Sequence, residues 1–145
     1  MKDLIIRKLA IEDAPAICEI SVEGLGYNCD LNLVQRKIQN LDLKREAVFV
    51  CELDGKVAGY IHVEHYDTLY FETMANILAL SVKKEFQKLG VGKALLLEAE
   101  NWAKENGIKM MRLNSGINRT NAHGFYEHLG YVSEKDQKRF IKNLF

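Results

Sequence analysis

The sequence predicts an α/β fold of the α+β kind: a mixed, mostly antiparallel sheet of about six or seven strands, helices on both faces, and a central parallel strand–helix–strand unit. Three observations predict it. Residues 47–65 form two apolar runs joined by Asp54-Gly55, a strong tight-turn signal, and so read as an antiparallel hairpin. Residues 76–113 place an apolar run, a long amphipathic stretch and a second apolar run in succession; strands joined through a helix lie parallel with a right-handed crossover. Only one proline occurs in 145 residues, with no Gly/Ser tract and no internal repeat, so a single domain over residues 1–145 is expected.

The elements follow in order. Residues 4–9 (LIIRKL) read as a short first strand, β-branched and flanked by charges. Residues 12–24 follow as a helix, with Asp13 as its cap, Pro15 in its first turn, and Ile17 and Ile20 on one face. Residues 27–30 break it, and apolar positions 34, 38 and 41 mark a second helix over residues 33–41. The hairpin strands cover residues 47–53 and 57–65, and a loop covers 67–71. Residues 76–82 (NILALSV) are apolar without strict alternation, as a central strand covered on both faces should be. The longest helix spans residues 90–106, with Val91, Leu95, Ala99, Trp102 and Ala103 roughly on one side and Gly107 as its C-terminal stop. A strand at 110–113, a helix at 119–128 ended by Leu129-Gly130, and strands at 131–133 and 139–144 complete the chain.

Composition excludes several classes. Twenty basic and twenty acidic side chains cancel, whereas proteins bound to nucleic-acid phosphates carry a basic excess or stripe. The local cluster of Lys83, Lys84, Lys88 and Lys93 suits a small anion better than a polymer, or is simply a solvated lysine face. Cys18, Cys29 and Cys51 are odd in number and lack C-x-x-C spacing, which suggests neither a disulfide framework nor a zinc site. His62 and His65, three apart on a strand, face opposite sides; His123 and His128, five apart on a helix, lie roughly 140° around it. No metal is expected. The N-terminus turns charged before a signal-peptide core can form, and no apolar run reaches membrane-spanning length, so a cytoplasmic location without membrane association is expected.

Gln87-Lys88-Leu89-Gly90-Val91-Gly92-Lys93-Ala94 stands between the buried strand and the long helix. Glycines two apart let the backbone turn sharply and approach a ligand, and free N–H groups at the helix start, backed by the helix dipole, bind phosphate. The P-loop spacing is absent, because only Val91 separates the glycines and Ala94 follows the lysine; Leu95 stands where the dinucleotide fingerprint needs its third glycine. On these residues alone, a tight strand-to-helix turn without a ligand remains an equal alternative.

Leu80-Ser81-Val82 followed by Gln87-x-x-Gly90-x-Gly92 resembles the signature of the GNAT superfamily of N-acetyltransferases. Arg119-x-x-Ala122-His123-x-Phe125-Tyr126-Glu127-x-x-Gly130-Tyr131 is similar to the family's later helix-and-turn motif, and Phe140-x-Lys142-x-Leu144 to its usual ending. The order of elements agrees with the family from about residue 4 to 144. The resemblance implies that acetyl-CoA lies between splayed fourth and fifth strands. The Leu80-Ser81-Val82 backbone would hold the pantetheine arm, and the amides of Lys88, Leu89, Gly90, Val91, Gly92 and Lys93, following Gln87, the pyrophosphate. Asn121 would touch the pantetheine and Phe125 pack along it. Tyr126 would stand beside the thioester sulfur, as acid for the leaving thiolate or, alternatively, as a buried helix anchor.

Members of the family often carry a glutamate where this chain has Asn76, which cannot accept a proton. Glu72, or Glu64 and His62 on the preceding strand, could relay the amine's proton through water. The function implied is acetyl transfer to a primary amine of a small molecule or peptide, by direct attack in a ternary complex. The acceptor would contact residues 24–33 and 66–73, where Glu23, Asp30, Asp67 and Glu72 favour a cation such as an aminoglycoside, polyamine or lysine. A homodimer is compatible with the sequence. A non-catalytic acyl-CoA-binding module is the alternative, kept open by Asn76 and opposed by Tyr126.

Overall fold

A computed structural model describes residues 3–26 and 28–145. Two compact units are distinguished, Met1–Leu113 and Asn114–Phe145. In the first, the strands β1 (Leu4–Lys8), β2 (Glu46–Leu53), β3 (Lys56–Tyr66), β4 (Met74–Val82) and β5 (Met111–Leu113) form one sheet in sequential order. The β1–β2, β2–β3 and β3–β4 pairs are antiparallel and β4–β5 is parallel. The helices are α1 (Ala14–Leu25), α2 (Leu31–Gln39) and α3 (Val91–Glu105), and the second unit carries α4 (Thr120–His128).

The sheet has five strands where six or seven were expected, because residues 131–133 and 139–144 are not strands among the described residues. Alternating apolar side chains mark a segment's faces, but a strand exists only where a neighbour completes its ladder, which sequence pattern does not supply. Elsewhere local chemistry decides. Asp54 and Gly55 both adopt left-handed φ (54° and 74°), the two-residue turn that matches strand twist. Asp30 caps α2 by accepting from the N–H groups of Asn32 and Leu33. Gly107, at φ 72°, follows the end of α3. Of the break expected over residues 27–30, Tyr27 lies outside the described residues.

Helices cover both sheet faces. Ser21 of α1 shares a hydrogen bond with the buried Tyr60 hydroxyl, and Ile20 packs with Val48, Val50 and Tyr60. From Gly59 onward, odd-numbered residues of β3 face the other way, where His65 lies against Trp102 of α3 (ring centroids 5.2 Å apart). Ile61, Val63, Leu95, Leu96 and Ala99 are fully buried. Each of these isoleucine, valine and leucine side chains contributes about 1.5–3 kcal/mol relative to exposure.

Two expectations about polar residues are corrected. Cys18 and Cys29 form a disulfide with Cα atoms 5.3 Å apart, leaving buried Cys51 as the odd thiol. Pairing depends on distance in the folded chain, which an odd count does not exclude. Asp13 precedes α1 without capping it. Its carboxylate accepts instead from Arg7 Nη1 and Nη2 (2.8 Å each) and from the Ala10 N–H, while Arg7 Nε reaches Glu52. These bonds tie β1 to the turn before α1 and to β2.

Arg7 holds the buried Asp13 carboxyl below its ordinary value. The stabilisation is therefore complete above the ordinary carboxyl range and is lost as pH falls through the lower folded-state value. Asp13→Asn costs about 2 kcal/mol at neutral pH. In urea titrations the wild type loses stability more steeply than this variant below about pH 4.

Candidate functional site

β5 pairs with β4 over Ala75, Asn76 and Ile77 only, and it ends at Leu113. Beyond that point β4 continues to Val82 against β3 alone among the described residues. In the β3–β4 ladder Val63 faces Ile77 but His62 faces Ala79, so Leu78 is an extra, bulged residue. Its consequence is a change of parity. The Ala75 N–H donates to Met110 C=O on the β5 side (2.9 Å), whereas the Lys83 N–H donates to Ala58 C=O on the β3 side (2.8 Å). Strand alternation then turns the main-chain groups of Leu80 and Val82 toward the open edge. Were Leu78 an ordinary member of the alternation, Ala79 and Ser81 would occupy that edge. Gln87 Nε2 donates to the Val82 carbonyl at 3.4 Å. Ser81 directs its main chain to β3, and its buried side chain lies where a Cβ on Gly24 of α1 would stand.

After β4 the chain makes a short 3-10 turn at Lys84–Phe86 and enters α3. Lys88 (φ 63°) and Gly90 (φ 88°) both take left-handed backbone, the second as residue before the helix. Gly92 lies in the first turn of α3, so only one of the two glycines supplies the turn itself. The N–H groups of residues 88–93 have no hydrogen-bond partner among the described residues; the first helical bond is Ala94 N–H to Gly90 C=O. No acidic side chain stands in the first turn of this 15-residue helix. Aligned donors with an uncompensated dipole form an anion site.

The lysines divide in two. Lys83 is paired with Glu19 of α1 (2.6 Å) and Glu85 (3.5 Å), whereas exposed Lys88 and Lys93 have no ion pair among the described residues. Glu23, one turn after Glu19, accepts from the Lys84 N–H (2.6 Å). Sequence reasoning placed Glu23 near an acceptor and passed over Glu19. The signal was their spacing of four on a helix, which places both on one face. Gly59 was also missed, and its lack of a side chain is required by close approach. A Cβ there would stand 2.7 Å from the Ser81 carbonyl oxygen and 3.2 Å from Val91 Cγ1.

On the α1 face, even-numbered β3 residues meet polar partners from three other strands. His62 Nε2 bonds Glu46 Oε1 on β2 (2.7 Å). Buried Asn76 donates from Nδ2 to Glu64 Oε2 (2.8 Å) and accepts from Arg112 Nη1 on β5 (2.7 Å). The Arg112 guanidinium lies over the Tyr66 ring, 4.3 Å from its centroid. The structure thus brings His62, Glu64 and Asn76 together and leaves Glu72 exposed in the β3–β4 loop, outside this group.

In the second unit, Asn121 is the second residue of α4, and Phe125 and Tyr126 follow one turn later. The Tyr126 ring meets Phe125 and Tyr131 edge-on, at 5.2 and 5.8 Å between centroids. Burial pushes the phenol up from its usual value, with Arg119 pulling the other way. The hydroxyl therefore keeps its proton at neutral pH and can donate it.

A profile of the acetyltransferase (GNAT) family matches residues 14–131. The chain is 28% identical to an uncharacterized N-acetyltransferase of Chlorobaculum tepidum, over 89% of this chain and 76% of that protein. It is 29% identical to a spermidine N(1)-acetyltransferase of Thermoplasma acidophilum, over 94% and 93% of the two chains. Among solved structures, AAC(6')-Iy in complex with a bisubstrate analog superposes with a TM-score of 0.83 at 16% identity, covering 97% of this chain and 99% of that one. The aminoglycoside 6'-N-acetyltransferase AAC(6')-Ih from Acinetobacter baumannii gives 0.82 at 14%, covering 99% and 100%. At such identities the structural likeness establishes the fold.

Gly59→Ala forces its methyl group against the Ser81 main chain and the start of α3. The variant is destabilised by about 1–3 kcal/mol, read from urea unfolding.

Proposed function

Because the chain belongs to the acetyltransferase (GNAT) family, we propose that it transfers an acetyl group from acetyl-CoA to a primary amine of a small molecule or peptide, by direct attack in a ternary complex. One observation carries this reading: the unpartnered N–H groups of residues 88–93 at the start of α3, which suit a pyrophosphate. Lys88 and Lys93 add charge. Leu80 and Val82 present main-chain donors and acceptors for an amide-bearing pantetheine arm, and a β4 N–H can stabilise the oxyanion formed on the thioester carbonyl. Asn121 and Phe125 take the roles the family motif gives them along that arm, and Tyr126 donates its proton to the departing thiolate.

We place the whole of residues 1–145 in one catalytic domain. The acceptor is a cationic amine. Carboxylates at Glu46 and Glu64 line the α1 face beside the open strand, and the named Thermoplasma relative is a polyamine acetyltransferase. The Cys18–Cys29 disulfide speaks against the cytoplasmic location expected from the sequence, because such bonds are uncommon in the cytosol of mesophiles. The second reading, an acyl-CoA-binding module without turnover, draws on Asn76. Its amide is held at both ends and carries no basic group.

Calorimetry with coenzyme A tests the phosphate cradle, and no heat of association on folded protein removes the assignment. Replacing both Lys88 and Lys93 by alanine weakens coenzyme A binding about tenfold, or about 1.4 kcal/mol. The deficit shrinks as salt is raised. Tyr126→Phe lowers turnover with an amine panel on the order of 100-fold while acetyl-CoA affinity changes less than twofold. Thiol release absent from the wild type with every amine supports the binding module instead.

A further inference from the structure

We infer that His62, oriented by Glu46, is the proton acceptor for the amine, in place of the carboxylate that β4 lacks at Asn76. The inference rests on the acetyltransferase reading and adds to it a residue pair on β2 and β3. His62 stands directly across from Ala79, beside the Leu78 bulge and the open-edge Leu80. Adjacent strands lie about 4.8 Å apart, so the imidazole belongs to the stretch of sheet where the thioester carbonyl is held. Its Nε2 is engaged by Glu46 Oε1 at 2.7 Å, which places the ring proton on Nε2 and leaves the lone pair on Nδ1. Nδ1 has no hydrogen-bond partner among the described residues.

The side chains of His62 and Glu46 retain 26% and 23% of their exposure, enough for an acceptor to reach them. Neighbouring groups on this face are otherwise engaged. Asn76 is bonded through both amide ends, Glu64 Oε2 receives the Asn76 amide, and Arg112 binds Asn76 and covers Tyr66. His65, on the opposite face, packs on Trp102.

The protons balance as follows. Nδ1 of His62 takes one proton from the acceptor ammonium and returns it to solvent. The freed amine attacks the thioester carbon, the N–C bond forms and the C–S bond breaks. The second amine proton ends on the coenzyme A sulfur, so an ammonium and acetyl-CoA give the N-acetyl product, coenzyme A thiol and one solvent proton. Glu46 is a positioning residue: it sets the tautomer and steadies the imidazolium.

The test uses the full chain with imidazole nitrogen NMR and kinetics. Saturation with acetyl-CoA shifts the His62 ring resonances and leaves His65 unmoved, and Glu46→Gln changes the His62 tautomer ratio. With spermidine, or whichever amine in the panel turns over fastest, His62→Ala lowers kcat on the order of 100-fold. Coenzyme A affinity stays within twofold, and added imidazole restores part of the rate. Unmoved His62 resonances on a protein that binds acetyl-CoA overturn the inference while leaving the family function intact. So does an unchanged kcat, or a loss that imidazole does not relieve. Failure to bind coenzyme A overturns the acetyltransferase reading itself.

Discussion

β5 is three residues long, and the site on β4 depends on that. A strand that loses its neighbour midway must satisfy its remaining N–H and C=O groups with water or a ligand. β4 loses β5 after Ile77, so its last five residues face an open edge. The bulge at Leu78 then decides which residues use that edge. One inserted residue reverses the alternation, bringing Leu80 and Val82 to the opening and sending Ser81 inward beneath α1. The peptide-like arm and the phosphates of one cofactor make complementary demands: amide pairing along an extended strand, then clustered donors at a helix start. In the proposed reading β4 and α3 meet these in succession, with residues 83–90 between them.

Electrostatic division of labour keeps that turn functional. Four lysines crowd residues 83–93, and all four would compete as solvated charges if nothing distinguished them. Glu19 pairs with Lys83, and Glu23 takes the Lys84 main-chain N–H, so α1 pins the corner where β4 ends. Lys88 and Lys93 have no ion pair among the described residues and stand beside the start of α3. The same helix α1 buries Ile20 against Val48, Val50 and Tyr60. A single amphipathic segment thereby joins the sheet core to the corner where β4 ends. A polar strip crosses β2–β5 on the same α1 face, where hydrogen bonds fix the orientation of His62, Asn76 and Arg112.

Much of this was legible in the residues, though unevenly. Asp54-Gly55 marked the hairpin because few dipeptides adopt two left-handed conformations cheaply. That turn set the register as far as Glu52 with Val57; an extra residue at Ala58 then shifts it, so that Cys51 pairs with Gly59. Gly90 and Gly107 bracketed α3 for a related reason. Opposite faces for His62 and His65 needed only the two-residue period of a strand. The disulfide escaped detection because Cys18 and Cys29 meet through the path of the chain between two helices, which an odd count does not reveal. Asp13 resembled a helix cap, but Arg7 lay closer in the folded chain and took its carboxylate. The strands expected at residues 131–133 and 139–144 have no ladder partner among the described residues, and a strand requires one.

The sequence by itself determined the family, the element order through α4, and the glycine turn that opens α3. All of these depend on local backbone preference and short-range periodicity, which neighbouring residues impose directly. Tertiary structure alone decided which β4 residues face the opening, which lysines stay free, and which base candidates have an unengaged lone pair. Those properties belong to pairs such as His62 with Glu46, Glu19 with Lys83, and Asn76 with Arg112. Each pair is separated by at least sixteen positions in the chain, and nothing local encodes it.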